Sequence, residues 1–211
     1  MIAVMTAIFG GIDKRKQIPA QTVPFEEFFF DETDSDLTTK FDNRTSALYF
    51  KSQGHKITDA EIIIWVDGKV QIMASDFVSQ CIKAMGTNSL AIMKHGSRKC
   101  IYEEVDYIED QIVKGSKYLS VRYASRPIRS QVEFYRSKGY PKNNGLNDCC
   151  VICRRNIEPT NLIFDEWWTA CKAGLFDQTA IQYIAWKNKI PIQPIIFKPG
   201  TIKHVPHIAL Q

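Results

Sequence analysis

Short apolar, often β-branched runs alternate with amphipathic stretches along almost the whole chain, and this alternation leaves few folds open. Residues 2–9 read as a strand ended by Gly10-Gly11, and residues 25–30 as another ended by an acidic turn over 31–36. Further strand candidates are 62–66, 70–73, 90–93, 149–153 and 192–197. Between them, residues 43–53 have helical character, and Ser75 or Asp76 can cap a helix running to Met85. Ile101, Val105, Ile108 and Ile112 fall on one helical face. Ile128, Val132 and Tyr135 do the same after Pro127, and residues 162–172 and 177–187 complete the set. The order predicts an α/β domain: an open, mostly parallel central sheet flanked by helices on both faces. The 211 residues contain no repeat and no linker-like break, so a single domain over 1–211 is expected.

Charge narrows the partners. Twenty-seven Lys and Arg against 23 Asp and Glu give a net charge of +4, which suits a small anionic ligand and lacks the dense basic stripe of a nucleic-acid binder. No run is long enough to predict a transmembrane segment, and the apolar first ten residues lack the features of a signal peptide. The six cysteines do not form paired metal-binding clusters. Cys149, Cys150 and Cys153 lie in a strand-like run, where free Cys acts as a small hydrophobe. Reduced thiols suit a cytoplasmic protein.

Ligands of open α/β sheets bind beyond the carboxyl ends of the strands. The expected strand ends carry Gly10, Gly11 and Asp13, then Asp31, then Asp67 and Gly68, then Lys94, His95 and Arg98, and finally Arg154 and Arg155. Ile62-Ile63-Ile64-Trp65-Val66-Asp67-Gly68 is the most informative of these segments. A buried strand delivers a carboxylate at its tip, and Gly68 lets the backbone approach a ligand. Such an oxygen ligand suits Mg²⁺ or Mn²⁺ bridging phosphate oxygens. An ordinary Asp-Gly turn explains the same residues.

Trp65-Val66-Asp67-Gly68 resembles the carboxylate motif of GT-A glycosyltransferases, although Lys69 stands where the second Asp of Asp-x-Asp is expected. Residues 6–13, Arg44, residues 48–51, His55-Lys56, residues 94–104, residues 139–146, Trp167-Trp168 and Asp177-Gln178 resemble, in that order, blocks of a family of small hexosyltransferase-like GT-A domains. The blocks are also similar to the N-terminal transferase domain of a chlorella-virus capsid-glycan protein, which would place the chain in host cytoplasm as part of a longer protein.

The resemblance implies roles. Ala7, Phe9, Gly10 and Asp13 would cradle the nucleotide of a UDP-sugar, with Asp67 and Gly68 at its diphosphate. Arg44 and Lys51 are candidates for neutralising that charge, although a solvated helix face would explain them equally. Lys94, His95, Arg98, Asn143 and Asn144 would bind sugar. Asp177 and Gln178 would face the donor sugar. A C-terminal histidine often supplies a metal ligand in this fold, so His204 or His207 would join Asp67 on Mn²⁺ or Mg²⁺. The expected reaction is metal-assisted transfer of a hexose-like unit to a glycan or glycoprotein hydroxyl. An inverting enzyme needs a base, for which Asp148 and Asp177 are candidates. The missing second Asp and the lack of a lone base favour retention. Two other classes compete. A sugar nucleotidyltransferase would use Gly10-Gly11 with Lys14, Arg15 and Lys16, and a glycan-binding module would use Trp167 and Trp168.

Overall fold

The computed structural model describes residues 1–34 and 41–207, so the expected turn over 31–36 lies partly outside the described residues. The central sheet takes β1 (Ile2–Ala7), β2 (Glu26–Phe30), β3 (Ile62–Val66), β5 (Leu90–Lys94), β6 (Asn147–Arg155) and β7 (Ile192–Ile195). Its order is β2-β1-β3-β6-β5-β7. Pairing is parallel for β1 with β2 and β3 and for β5 with β7, whereas β6 is antiparallel to both β3 and β5. The expected mostly parallel sheet is therefore present, with one reversed strand near its centre.

The described residues form seven α-helices: α1 (Asn43–Gln53), α2 (Phe77–Met85), α3 (Ile101–Val113), α4 (Lys117–Tyr123), α5 (Ile128–Ser137), α6 (Glu158–Lys172) and α7 (Asp177–Lys187). The pleat sends alternate residues to opposite faces. Ala3, Met5 and Ala7 of β1, with Ile63 and Trp65 of β3, enter one core; Val4, Ile64 and Val66 enter the other. Phe50 of α1, Ile101 and Val105 of α3, Val132 of α5, Trp167 of α6 and Ile181 of α7 cover the first core. Among the described residues, only α2 contributes buried helical residues, Phe77, Val78, Cys81 and Met85, to the second. The strand β3 is thus buried on both faces, which accounts for its unbroken β-branched run.

Several local expectations change. The segment Val70–Ile72 (β4) does not join the central sheet; it pairs antiparallel with Ile202–His204 (β8) in a separate two-stranded sheet. Because β6 is reversed, Arg154 and Arg155 lie at the edge opposite the carboxyl ends of β1 and β3. Arg154 is 1% exposed, donates from Nη2 to the Ser52 carbonyl at 3.2 Å, and stacks 4.0 Å over Phe164. Pro127 occupies the N-cap of α5 rather than its first turn. Asp76 occupies the N-cap of α2, but its carboxylate accepts from Lys198 and Gln80 instead of capping. All six cysteines are buried and free. Trp167 and Trp168 are both buried, so neither is the exposed platform a glycan-binding module needs.

Candidate active site

A cavity of about 290 Å³ lies beyond the carboxyl ends of β1 and β3, bounded by α1 and the start of α7. The chain enters it through Gly10 and Gly11, at φ 75° and 62°. A Cβ at Gly10 would also run into the Asn43 amide at the head of α1, so glycine is required there by conformation and by space. On the other wall, a Cβ at Gly68 would lie 2.8 Å from Ile8 Cγ1 and 3.1 Å from Asp13 Oδ2. The loop after β1 and the β3 tip thus touch only because Gly68 is small.

The tip itself is a tight turn in which the Val70 amide donates to the Asp67 carbonyl at 2.8 Å. It delivers the Asp67 carboxylate between two donors: Trp65 Nε1 at 2.6 Å and Lys51 Nζ at 3.1 Å, both to Oδ1. Burial works to raise the Asp67 pKa, but Lys51, Lys69 and these bonds outweigh it and hold it at about 2. Lys51 is buried, with its ammonium 5.9 Å from the Trp65 ring and 6.0 Å from Trp167. Burial opposes its charge, yet Asp67 and then Asp177 raise its pKa above the ordinary lysine value.

Asp177 opens α7, where the helix dipole favours an anion. Trp167 Nε1 donates to its backbone carbonyl at 2.9 Å and fixes that end of the helix. Arg44 Nη2 stands 3.5 Å from its carboxylate. Against burial, Lys51, Arg44 and Arg122 together lower the Asp177 pKa. Lys69 is shifted up, because Cys150, Asp67 and Asp148 offset its burial. The irregular pairing of β5 with β6 sets Asp148 opposite Met93, and its Oδ1 accepts from the Cys150 amide at 3.1 Å. The cavity therefore mixes cations, Arg44, Lys51, Lys69 and Arg122, with carboxylates, Asp13, Asp67 and Asp177, and Asp148 acts on Lys69 from outside its lining.

The expected site residues divide into two groups. Ala7, Phe9, Asp13, Arg44, Asp67, Gly68, Asp177 and His207 line this cavity together. Lys94, Arg98 and Asn144 line a different cleft of about 590 Å³, beside the carboxyl end of β5. The tips of β3 and β5 are two strand spacings apart, about 10 Å. His95 Nδ1 accepts from the Arg98 amide at 2.9 Å, and the Arg98 side chain binds Glu104, so both hold their own loop. The Asn143 amide donates to Cys100 Sγ at 3.4 Å, at φ 58°. Gln178 Nε2 is enclosed without a partner among the described residues. Of the two late histidines, His204 is exposed on β8 opposite Val70, whereas His207 Nδ1 lies 2.9 Å from Asp13 Oδ2 in the cavity wall.

Arg122 was not expected here, and Lys16, offered by the sequence only for a phosphate loop, binds the β3 turn instead. Arg122 lines the cavity from α4, a seven-residue helix too short to show periodicity. Lys16 Nζ binds the Gly68 carbonyl from a segment with no regular secondary structure.

The donor set argues against a resident divalent ion. Among the described residues no three His, Cys, Asp or Glu side chains gather as ligands. Asp67 Oδ1 is taken by Lys51 and Trp65, and Lys69 adds a second ammonium nearby. A dication there would meet two fixed positive charges.

The cavity lies at the ligand edge of an α/β sheet, and the sequence defines the class: the chain carries a glycosyltransferase-like domain. The sequence model of the TOD1/MUCI70 glycosyltransferase-like domain matches residues 40–206, and the chain belongs to that family. No curated protein matches the chain. Among solved structures, mouse xyloside xylosyltransferase 1 is similar at 8% identity and TM-score 0.48, covering 90% of this chain and 83% of that one. The galactosyltransferase LgtC, solved with donor and acceptor sugar analogues, has 9% identity and TM-score 0.49, with 96% and 86% covered. The 4-diphosphocytidyl-2C-methyl-D-erythritol synthase of Anaerococcus prevotii has 13% identity and TM-score 0.46, with 96% and 91% covered.

Proposed function

We propose that this chain is a GT-A-type hexosyltransferase that moves a sugar from a UDP-sugar to a glycan or glycoprotein hydroxyl. One observation carries the reading: the buried Lys51 ammonium, set between Asp67 and Asp177 in the cavity beyond β1 and β3. A fixed cation there would stabilise the charge that a diphosphate leaving group develops. Lys69 and Arg44 extend the positive field on either side. Gly10 and Gly68 let the backbone approach the nucleotide, and Asp177 faces the sugar from the α7 N-terminus. In this reading Lys51 and Lys69 take the charge-neutralising part expected of Mn²⁺ or Mg²⁺, with Asp67 Oδ1 committed to Lys51 and Trp65.

Retention of configuration follows from the charges. Asp177 is tied to Arg44 and Lys51, and its lowered pKa makes it a weak base. Asp148 faces Lys69. The acceptor hydroxyl attacks the anomeric carbon on the face the UDP leaves. The bond to the β-phosphate oxygen breaks, and that oxygen takes the hydroxyl proton. The nucleotidyltransferase reading loses its phosphate loop: Arg15 pairs with Glu27 at 3.0 Å and stacks over Phe29, and Lys16 turns to Gly68. We place the reaction in the cytoplasm, in keeping with six free buried thiols. The chlorella-virus and capsid-glycan setting is proposed on sequence resemblance.

Calorimetry with UDP tests this reading. Asp67→Asn should keep the fold and weaken UDP binding about tenfold or more, since it frees Lys51 from its anchor. Failure of UDP to bind the parent protein, with or without Mn²⁺, would sink the proposal.

A further inference from the structure

Beside the donor cavity lies a cleft of about 650 Å³ on α4 and the turn after it, lined by Arg44, Lys117, Arg122 and Arg126. Among the described residues no acidic side chain lines it. Arg44 and Arg122 also line the donor cavity, so the two spaces meet at these guanidiniums. Asp177, which pairs with Arg44, is already shared with Lys51. Arg122 is held by neutral groups: its Nε donates to Tyr123 Oη at 2.9 Å and its Nη1 to Tyr118 Oη at 3.0 Å. Those phenols orient the fork and leave its charge. Neither Lys117 nor Arg126 has an ion-pair partner among the described residues. Burial first, and then the charges of Arg44 and Arg122, push the Arg126 pKa below the ordinary arginine value, against the opposing pull of Asp177.

Like charges packed into a half-buried cleft cost stability unless an anion joins them. Three guanidiniums and an ammonium offer more donors than the two oxygens of a carboxylate can accept. A phosphoryl group brings three oxygens and nearly two charges, and guanidinium forks match it. Val121, 89% exposed, and Tyr118 give the cleft an apolar rim for the organic part of an ester. We infer that this cleft binds the phosphoryl group of a phosphate-bearing acceptor and presents its hydroxyl to the donor cavity. The acceptor role rests on the transferase reading above; the phosphoryl site itself does not.

The test is binding of glucose 6-phosphate, glucose and glucuronate to the parent and to Lys117→Gln with Arg126→Gln, without and with saturating UDP. A second arm uses phosphatidylcholine vesicles with and without polyprenyl phosphate. We expect a phosphate-bearing probe to bind, to persist under UDP, and to lose about tenfold in affinity per cation removed. Binding of the sugar phosphate alone assigns a phosphorylated glycan, and binding of the doped vesicles alone assigns a lipid phosphate. Equal binding of glucuronate, indifference to the double substitution, complete displacement by UDP, or binding by neither phosphate source would each overturn the inference. UDP affinity should be the same in both proteins. If the parent does not bind UDP, the transferase reading fails while the UDP-free arm still decides the phosphoryl site.

Discussion

At the residue scale, Lys51 and Asp67 depend on each other. Removing Lys51 would leave two enclosed carboxylates facing one another, so Lys51→Met should destabilise the fold by about 3–5 kcal/mol, measured by urea unfolding. A change below about 1 kcal/mol would show that water already screens the pair. Acid should act through the same contact. The folded Asp67 pKa of about 2 lies below its ordinary 3.8, so the folded state holds the charged form more tightly. Its stabilisation is complete above about pH 4 and is lost as pH falls towards about 2, a contribution on the order of 2 kcal/mol. Melting temperature should therefore drop more steeply over that interval in the parent than in Asp67→Asn. The position of Asp67 at a strand tip was legible in the sequence, because a buried β-branched run ends there, although an ordinary Asp-Gly turn explained the residue as well. The partnership with Trp65 was not legible, since a strand tryptophan reads as core until its Nε1 is seen to reach the residue two positions on.

At the element scale, periodic segments were readable and some short ones were not. The limits of 43–53, 62–66 and 177–187 agree with α1, β3 and α7, each bounded by polar or turn-forming residues. The helix α4 has seven residues and the strand β8 three, and neither showed a period, whereas the equally short β4 was readable from the Asp67-Gly68 turn before it. The direction of β6 could not be read, because a strand buried on both faces has the same apolar pattern either way up. That reversal moved Arg154 and Arg155 away from the ligand edge and brought Asp148 to it. The junction of β1 with α1 carries its own prediction. Gly10→Ala places a methyl against Asn43 and strains a backbone at φ 75°. It should cost about 1–3 kcal/mol and weaken nucleotide binding. Adding Asn43→Ala should restore the part due to crowding and leave the part due to φ. Full recovery in the double variant would show that the left-handed conformation matters little there.

At the scale of the whole molecule, the far ends of the chain meet at the cavity. Pairing of β8 with β4 carries the C-terminal segment back across the β3 tip, where the Val205 amide donates to the Lys69 carbonyl at 2.8 Å. Two residues on, His207 reaches Asp13 on the N-terminal loop. The sequence offered His204 and His207 equally, because nothing in a short polar tail fixes which side chain points inward. The β8 register decides it: His204 pairs with Val70 at the edge of the small sheet, and His207 lies beyond the strand. The imidazole can therefore either brace the cavity wall through Asp13 or serve a metal with it, and chelation separates the two. If it braces the wall, His207→Ala should weaken UDP binding by the same factor, about tenfold or less, in Mn²⁺, in Mg²⁺ and in chelator. That is the expected outcome, because Asp67 is committed to Lys51 and the cavity already holds two ammonium groups. A loss confined to Mn²⁺ would mean that nucleotide binding draws Asp67 away from Lys51 to join Asp13 and His207, and that the paired arrangement seen here belongs to the empty cavity alone.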